Sequence, residues 1–328
     1  MKAIKFFAIS AMAAAMITSC SSEDELSQSN YPSDNIIRVT AGVNNAKTRA
    51  EGQGVTAMDK DFSLTIVNKN ASKYTYTDKV FSKKSGDWAC SETLLWQKSD
   101  ALVDIVAFAP AQTGKFNGVY AEGSIKPITY SVADDQSTKS DNNDLLYYYA
   151  PDFNPGKGLK DKKLNIQFNH AFCMIDINVT LGTEFNKPNV LDDSPIIKVT
   201  LGGTKIAANV DVTKAASVVT VSETDAATDI TTTKGSFTTA ANAEANAISR
   251  FSCIAIPQTV AANTFKVSLM TADKLYEWTS AEPVELKSGC RYTLKLSMGN
   301  DVVLLKGGSI SASPWTEGDT GDKPLETD

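Results

Sequence analysis

The chain has 328 residues, 42% of them apolar and 21% charged, with a formal net charge of −6. That balance is ordinary for globular protein with room for about two domains, and its acidic sign gives no support to nucleic acid as a partner. The single histidine, His170, and the lack of a nucleophile motif such as G-x-S-x-G leave no basis for naming an enzyme, and no zinc site can be built from cysteine or histidine pairs.

In chain order, Met1 to Cys20 reads as a targeting segment. Lys2 and Lys5 give a basic start, Phe6 to Ile17 is an apolar run too short to span a membrane, and Ile17-Thr18-Ser19-Cys20 ends it on small residues. The pattern resembles a bacterial lipoprotein signal, with residues 1–19 as the signal peptide and Cys20 as the lipidated first residue. Ile17 stands where leucine is commoner. Two or more acyl chains on Cys20 would anchor the chain to the outer membrane, at about 0.8 kcal/mol for each buried methylene. Ser21 to Glu25 reads either as a solvated linker or as the acidic stretch that follows the cysteine in surface-exported lipoproteins. No later apolar run reaches the ~18 residues of a membrane span.

Ile37, Val39, Ala41 and Val43 alternate with Ile36, Arg38, Thr40 and Gly42, which predicts a strand with one face against a core. Asn44 to Gly54 follows as a small, polar, cuttable loop containing the Arg49–Ala50 bond. A cut there would detach the strand and leave an apolar groove beside an unpaired sheet edge. On these residues alone Arg49 also reads as an ordinary solvated loop arginine; if the loop is cut, residues 20–49 form a lipidated propeptide with a removable first strand.

From Asp61 the pattern is of strands. Phe62, Leu64 and Ile66 share one face, as do Val103, Ile105, Ala107 and Ala109, while Trp88 and Trp96 are large enough to centre a core. Pro151 to Gly158, with two prolines and two glycines, reads as the linker that closes an N-terminal domain over residues 50–158. A C-terminal domain over 159–328 opens with Leu164, Ile166 and Phe168, then changes phase to Cys173, Ile175, Ile177 and Val179, which predicts a bulge or kink near Asn169-His170-Ala171. Glu223 to Asn246 is weakly patterned and reads as a surface excursion.

Near the end, Val302-Val303-Leu304-Leu305 and Ile310-Ser311-Ala312 are two short apolar strands around a glycine pair, and Pro314-Trp315 precedes an acidic tail. Such strands can complete their own sheet or fill a neighbour's groove.

Taken in order, the lipoprotein start, Lys47-Thr48-Arg49-Ala50, Trp96 with Val106-Ala107-Phe108-Ala109-Pro110, Asp144-Leu145-Leu146-Tyr147, Phe168-Asn169-His170-Ala171, Ile256-Pro257-Gln258, Leu286 with Gly289 and Tyr292, and Ile310 through Pro314-Trp315 resemble the fimbrillin family. Each motif is short, and their order carries the likeness. The resemblance implies a mostly β chain with two tandem transthyretin-like β-sandwich domains. It also implies lipoprotein export, processing by an arginine-specific protease between Arg49 and Ala50, and polymerisation by strand donation. The donor region would be 302–315, with Val302, Val303, Leu304, Leu305, Ile310, Ala312 and Trp315 as the residues it brings. The implied partners are other fimbrial subunits, in a homo- or hetero-polymer on the cell surface, with host or bacterial surface ligands as targets of adhesion.

No cofactor or metal is expected. Asp141-Asn142-Asn143-Asp144 lacks the glycine and distal glutamate of a calcium loop. Cys90, Cys173, Cys253 and Cys290 remain after Cys20, and buried thiols or an oxidised pair both fit an exported chain. A second functional class shares the anchor and the β domains: a surface glycan-binding lipoprotein, which would keep its first strand and display exposed aromatic residues.

Overall fold

The computed structural model describes residues 30–44, 58–111, 119–187, 189–215, 217–305 and 310–315. Its first half contains β1 (Val39–Val43), β2 (Phe62–Asn68), β3 (Tyr76–Lys84), β4 (Asp87–Cys90) and β5 (Val103–Ala109). A small hairpin of β6 (Tyr120–Ala121) and β7 (Ser124–Ile125) follows, then β8 (Ile128–Ser131), β9 (Leu146–Phe153) and β10 (Leu164–His170). Seven of these strands close on themselves in the order β1-β10-β9-β5-β2-β3-β4. The apolar alternation explains which side chains fill the barrel: Phe62, Leu64, Ile66, Ile105, Ala107, Leu164, Ile166 and Phe168 are all at most 1% exposed and share one core.

The expected boundary after Gly158 does not fall between the two cores. Leu164–His170 pairs with β9 and β1 of the barrel, and Leu159 is buried in the same core. Pro151 to Gly158 is not a free linker either. Pro151 lies within β9, at a register shift against β5 that accommodates it, and Pro155–Gly158 is one helical turn whose Gly156 N–H donates to the Ser99 carbonyl at 2.7 Å. A proline is tolerated at such an irregularity because no ladder bond there needs its missing N–H.

The second half contains β11 (Cys173–Leu181), β12 (Lys198–Gly202), β13 (Ala207–Val210), β14 (Val219–Thr220), β15 (Ile230–Thr231), β16 (Thr233–Thr238) and β17 (Ala247–Ala255). It continues with β18 (Thr259–Val260), β19 (Lys266–Met270), β20 (Leu275–Thr279), β21 (Val284–Glu285), β22 (Cys290–Met298), β23 (Val303–Leu305) and β24 (Ser311–Pro314). The main sheet runs β16-β17-β11-β22, with β23 and β24 both on the outer side of β22. A second sheet, β15-β12-β19-β20, and a third, β14-β13-β8, pack their apolar faces into the same core. The segment Glu223 to Asn246 supplies β15 and β16, with Ile230 fully buried, so part of it is sheet and not a surface excursion.

Three features fuse the halves. The phase change at Asn169-His170-Ala171 is the point where the chain leaves the barrel for the main sheet, and Ala171 and Phe172, which join β10 to β11, are both fully buried. Strand β8 precedes β9 in sequence but pairs with β13 of the second half. Strand β5 serves both cores, with Val103, Ile105, Ala107 and Ala109 facing one and Val106 and Phe108 the other. A strand covered on both faces reads as a continuous apolar run, as this one does.

Candidate functional site

Two parts of the described chain hold the residues that the sequence singles out: the first strand and the last two. Strand β1 lies parallel to β10, from Val39 opposite Leu164 to Val43 opposite Phe168. On its other side it meets β4 at one antiparallel pair, Val39 with Trp88. Ile37, Val39 and Val43 are 6%, 3% and 7% exposed, and Ala41 is half-buried. The predicted alternation is therefore present, and these side chains cover Leu164, Ile166 and Phe168. Taking the strand away would open an apolar slot and leave β10 without a hydrogen-bonding neighbour on that side. The processing residues Arg49 and Ala50 and the lipidation residue Cys20 lie outside the described residues.

The entry of β1 is tied down by charge. Both nitrogens of the Arg38 guanidinium donate to the Asp34 carboxylate, at 3.0 and 2.5 Å, and that bonding holds the Asp34 carboxyl at about 2, below the usual carboxylate range. Beside it runs the turn Lys157 to Lys163, which carries four lysines and one aspartate. Lys163 reaches across to Asp87 at 3.2 Å.

At the other end of the chain, β22 is the only ladder partner of β23 and β24 among the described residues. Their burial is uneven. Val303 and Trp315 are 6% and 8% exposed, whereas Val302 and Leu304 are 50% and 59% exposed. Ala312 is exposed, Ile310 is half-buried, and the Leu305 backbone pairs with Leu296. In this structure the two strands thus complete their own sheet as its edge, with much of their apolar surface uncovered.

The largest buried side chain of that edge is Trp315. Its indole lies flat on the His170 imidazole, with ring centroids 3.8 Å apart and planes 12° from parallel, and the Trp315 backbone N–H donates to the Gly289 carbonyl at 2.7 Å. His170 Nδ1 is 3.0 Å from each oxygen of the fully buried Asp144 carboxylate. The sequence places His170 at the phase change but does not show its partners, because Asp144 and Trp315 lie 26 and 145 positions away. The only local signal is a lone histidine where a strand changes phase.

Among the described residues no group of three histidine, cysteine or carboxylate side chains could hold a metal. Cys173 and Cys253 are buried free thiols, and burial pushes both thiols up, Cys173 well above its ordinary value. None of the four tryptophans is displayed: Trp96 is buried against Phe153, Trp88 and Trp278 are half-buried against Phe62 and Phe265, and Trp315 covers His170. Among the described residues no helix is long and apolar enough to cross a membrane.

Comparison with known proteins agrees with this architecture. A family model described as fimbrillin-like matches residues 40–315. Among solved structures, a fimbrial protein from Bacteroides vulgatus is similar with a TM-score of 0.53 and 14% identity, covering 86% of this chain and 99% of its own. The C-terminally truncated tip fimbrial protein Mfa3 from Porphyromonas gingivalis is similar with a TM-score of 0.51 and 9% identity, covering 85% of this chain and 99% of its own. A Bacteroides uniformis structure described as a candidate cell adhesion protein gives a TM-score of 0.56 at 14% identity, covering 87% of this chain and all of its own. At these identities the structural likeness concerns the fold. No curated protein matches the sequence.

Proposed function

Because this chain belongs to the fimbrillin-like family, we propose that it is a structural subunit of a surface fimbria that is exported as a lipoprotein and built into a polymer by strand exchange. In this reading Cys20 carries the lipid that anchors the precursor to the outer membrane. An arginine-specific protease cuts between Arg49 and Ala50, β1 leaves, and the region 302–315 of a neighbouring subunit fills the slot. Domains over 20–49, 50–158 and 159–328 would then act as propeptide, acceptor and donor-bearing unit, with the barrel drawing β10 from beyond the 158 boundary. The assembled fibre would serve adhesion to host or bacterial surface ligands.

The observation that carries this is the position of β1. It is buried like a core strand, with Ile37, Val39 and Val43 each under a tenth exposed, yet it is the first strand of the described chain and the segment after it holds the cuttable arginine. Burying three such side chains contributes roughly 5–9 kcal/mol before entropy, so an empty slot is unstable and a strand that refills it is held for long times. The exposed Val302 and Leu304 on the edge strands are apolar surface that gains cover in a neighbour's slot.

Limited trypsin digestion of the chain from Ser21 onward tests the reading. N-terminal sequencing, SDS gels without boiling and electron microscopy are expected to show a dominant cut after Arg49, with ladders or filaments forming only afterwards. A stable monomer after that cut, or undiminished assembly of a chain ended after Asp301, would overturn it.

A further inference from the structure

The structure gives the slot a direction, which strand exchange alone does not. Every other ladder of the barrel is antiparallel, from β10 with β9 round to β3 with β4. Strand β1 is the exception, held along β10 in a parallel ladder and touching β4 at one antiparallel pair. Parallel pairing is slightly weaker for each residue than antiparallel pairing. An incoming strand that ran opposite to β1 would convert the long ladder on β10 to the stronger kind and give up only the single pair on β4. Its apolar alternation would still face inward, because the period of two is the same in both directions.

Charge points the same way. The barrel end where β1 and β10 begin carries Arg38 and the exposed Lys157, Lys160 and Lys162, with Lys163 half-buried beside them; Asp34, paired with Arg38, Asp87, paired with Lys163, and Asp161 are acids there. Strand β2 starts at the barrel end where β1 and β10 finish, three strands away from β1 across β4 and β3, and Asp59 and Asp61 are exposed there. The segment after Trp315, residues 316–328, holds five carboxylate side chains and one lysine. A strand entering parallel to β1 would deliver that acidic segment to the acidic end. A strand entering in reverse would deliver it to the lysines.

We propose that the slot accepts the C-terminal strand of a second copy antiparallel to β10, and that the acidic segment 316–328 of that copy seats on the lysine turn 157–163. The direction rests on the strand-exchange reading given above, whereas the pairing of acidic segment and lysine turn can be measured without it. In the same chain the segment starts at Trp315, against His170 at the far end of β10 from those lysines.

Two measurements test this. First, a labelled peptide of residues 315–328 is titrated into the uncut chain ended after Trp315, which keeps every described element. Binding is expected, falling about tenfold between 50 and 300 mM salt and about tenfold in Lys160→Glu/Lys162→Glu, with no change in Asp59→Lys at the other end. Binding indifferent to the lysine variant, or anionic vesicles captured more tightly than the peptide, overturns the pairing. Second, the full chain is digested after Arg49 and mixed with a peptide of residues 302–328 carrying a photo-crosslinker at position 318. Crosslinks to 157–163 are expected, and crosslinks to Asn169–Ala171, at the finish of β10, overturn the direction. If the short peptide binds but the long one never enters the cut chain, strand exchange fails and the charge pairing stands. If filaments form with crosslinks at the wrong end, strand exchange stands and this inference fails.

Discussion

His170 and Trp315 lie 145 residues apart in sequence and stack face to face at 3.8 Å, with Asp144 closing the other edge of the imidazole at 3.0 Å. This is where the loosely held C-terminal edge is pinned to the junction of the two cores. Replacing Trp315 with alanine removes a mostly buried indole and uncovers the His170 ring. A loss of about 3 kcal/mol is expected in urea unfolding, while Leu304→Ala, on an exposed side chain of the same edge, is expected to change stability by less than ~0.5 kcal/mol. Equal effects would mean that the edge is not pinned at Trp315.

Strand β1 offers a comparison of its two faces. Val39 is 3% exposed whereas Thr40 is exposed and bonds Asn165 at 3.1 Å. Val39→Ala is expected to cost about 1–3 kcal/mol and Thr40→Ala at most ~0.5 kcal/mol. Hydrogen exchange should speed up at the amides of β1 and at Asn44, whose N–H donates to the Phe168 carbonyl at 2.7 Å, in the first variant alone.

Gly203 and Gly86 both have positive φ, +87° and +97°, but different surroundings. A Cβ at Gly203 would sit 2.2 Å from the Thr264 carbonyl oxygen, whereas one at Gly86 would meet open space. Gly203→Ala is expected to lower stability by about 2–3 kcal/mol and Gly86→Ala by about 1 kcal/mol, which thermal unfolding can separate.

Alkali has a defined effect through Tyr292. Burial pushes its phenol up to about 12, and the hydroxyl accepts the Lys287 N–H at 2.8 Å. The folded state keeps the proton longer than the unfolded state, whose phenol ionises near 10. Its contribution is therefore complete below pH ~10 and is lost as pH rises towards ~12. The urea midpoint is expected to fall over that window, and less steeply in Tyr292→Phe; an identical slope would remove Tyr292 as a cause.

How much of this the residues disclose depends on the kind of contact. The alternation at Ile37, Val39 and Val43 shows that one face of β1 is buried, because burial and period are properties of a single strand. The neighbour of that strand is not legible, since Leu164, Ile166 and Phe168 would look the same in either core. Pro151 and Gly158 have the composition of a linker, and only the register shift between β9 and β5 reveals that the ladder absorbs the proline. His170 is similar: its isolation is visible at once, but its partners come from elsewhere, Asp144 from just before β9 and Trp315 from the end of the second half.

The path of the chain between the cores also bears on how a fibre would respond to force. β10 and β11 are joined by two fully buried residues, β8 crosses from one half to the other, and β5 packs into both cores. No hinge separates the halves along these crossings. Under tension or shear flow, a filament of such subunits would transmit load through each one as a stiff rod and bend at the joints between copies. Its compliance would then be set by the exchanged strand and not by the protein that carries it.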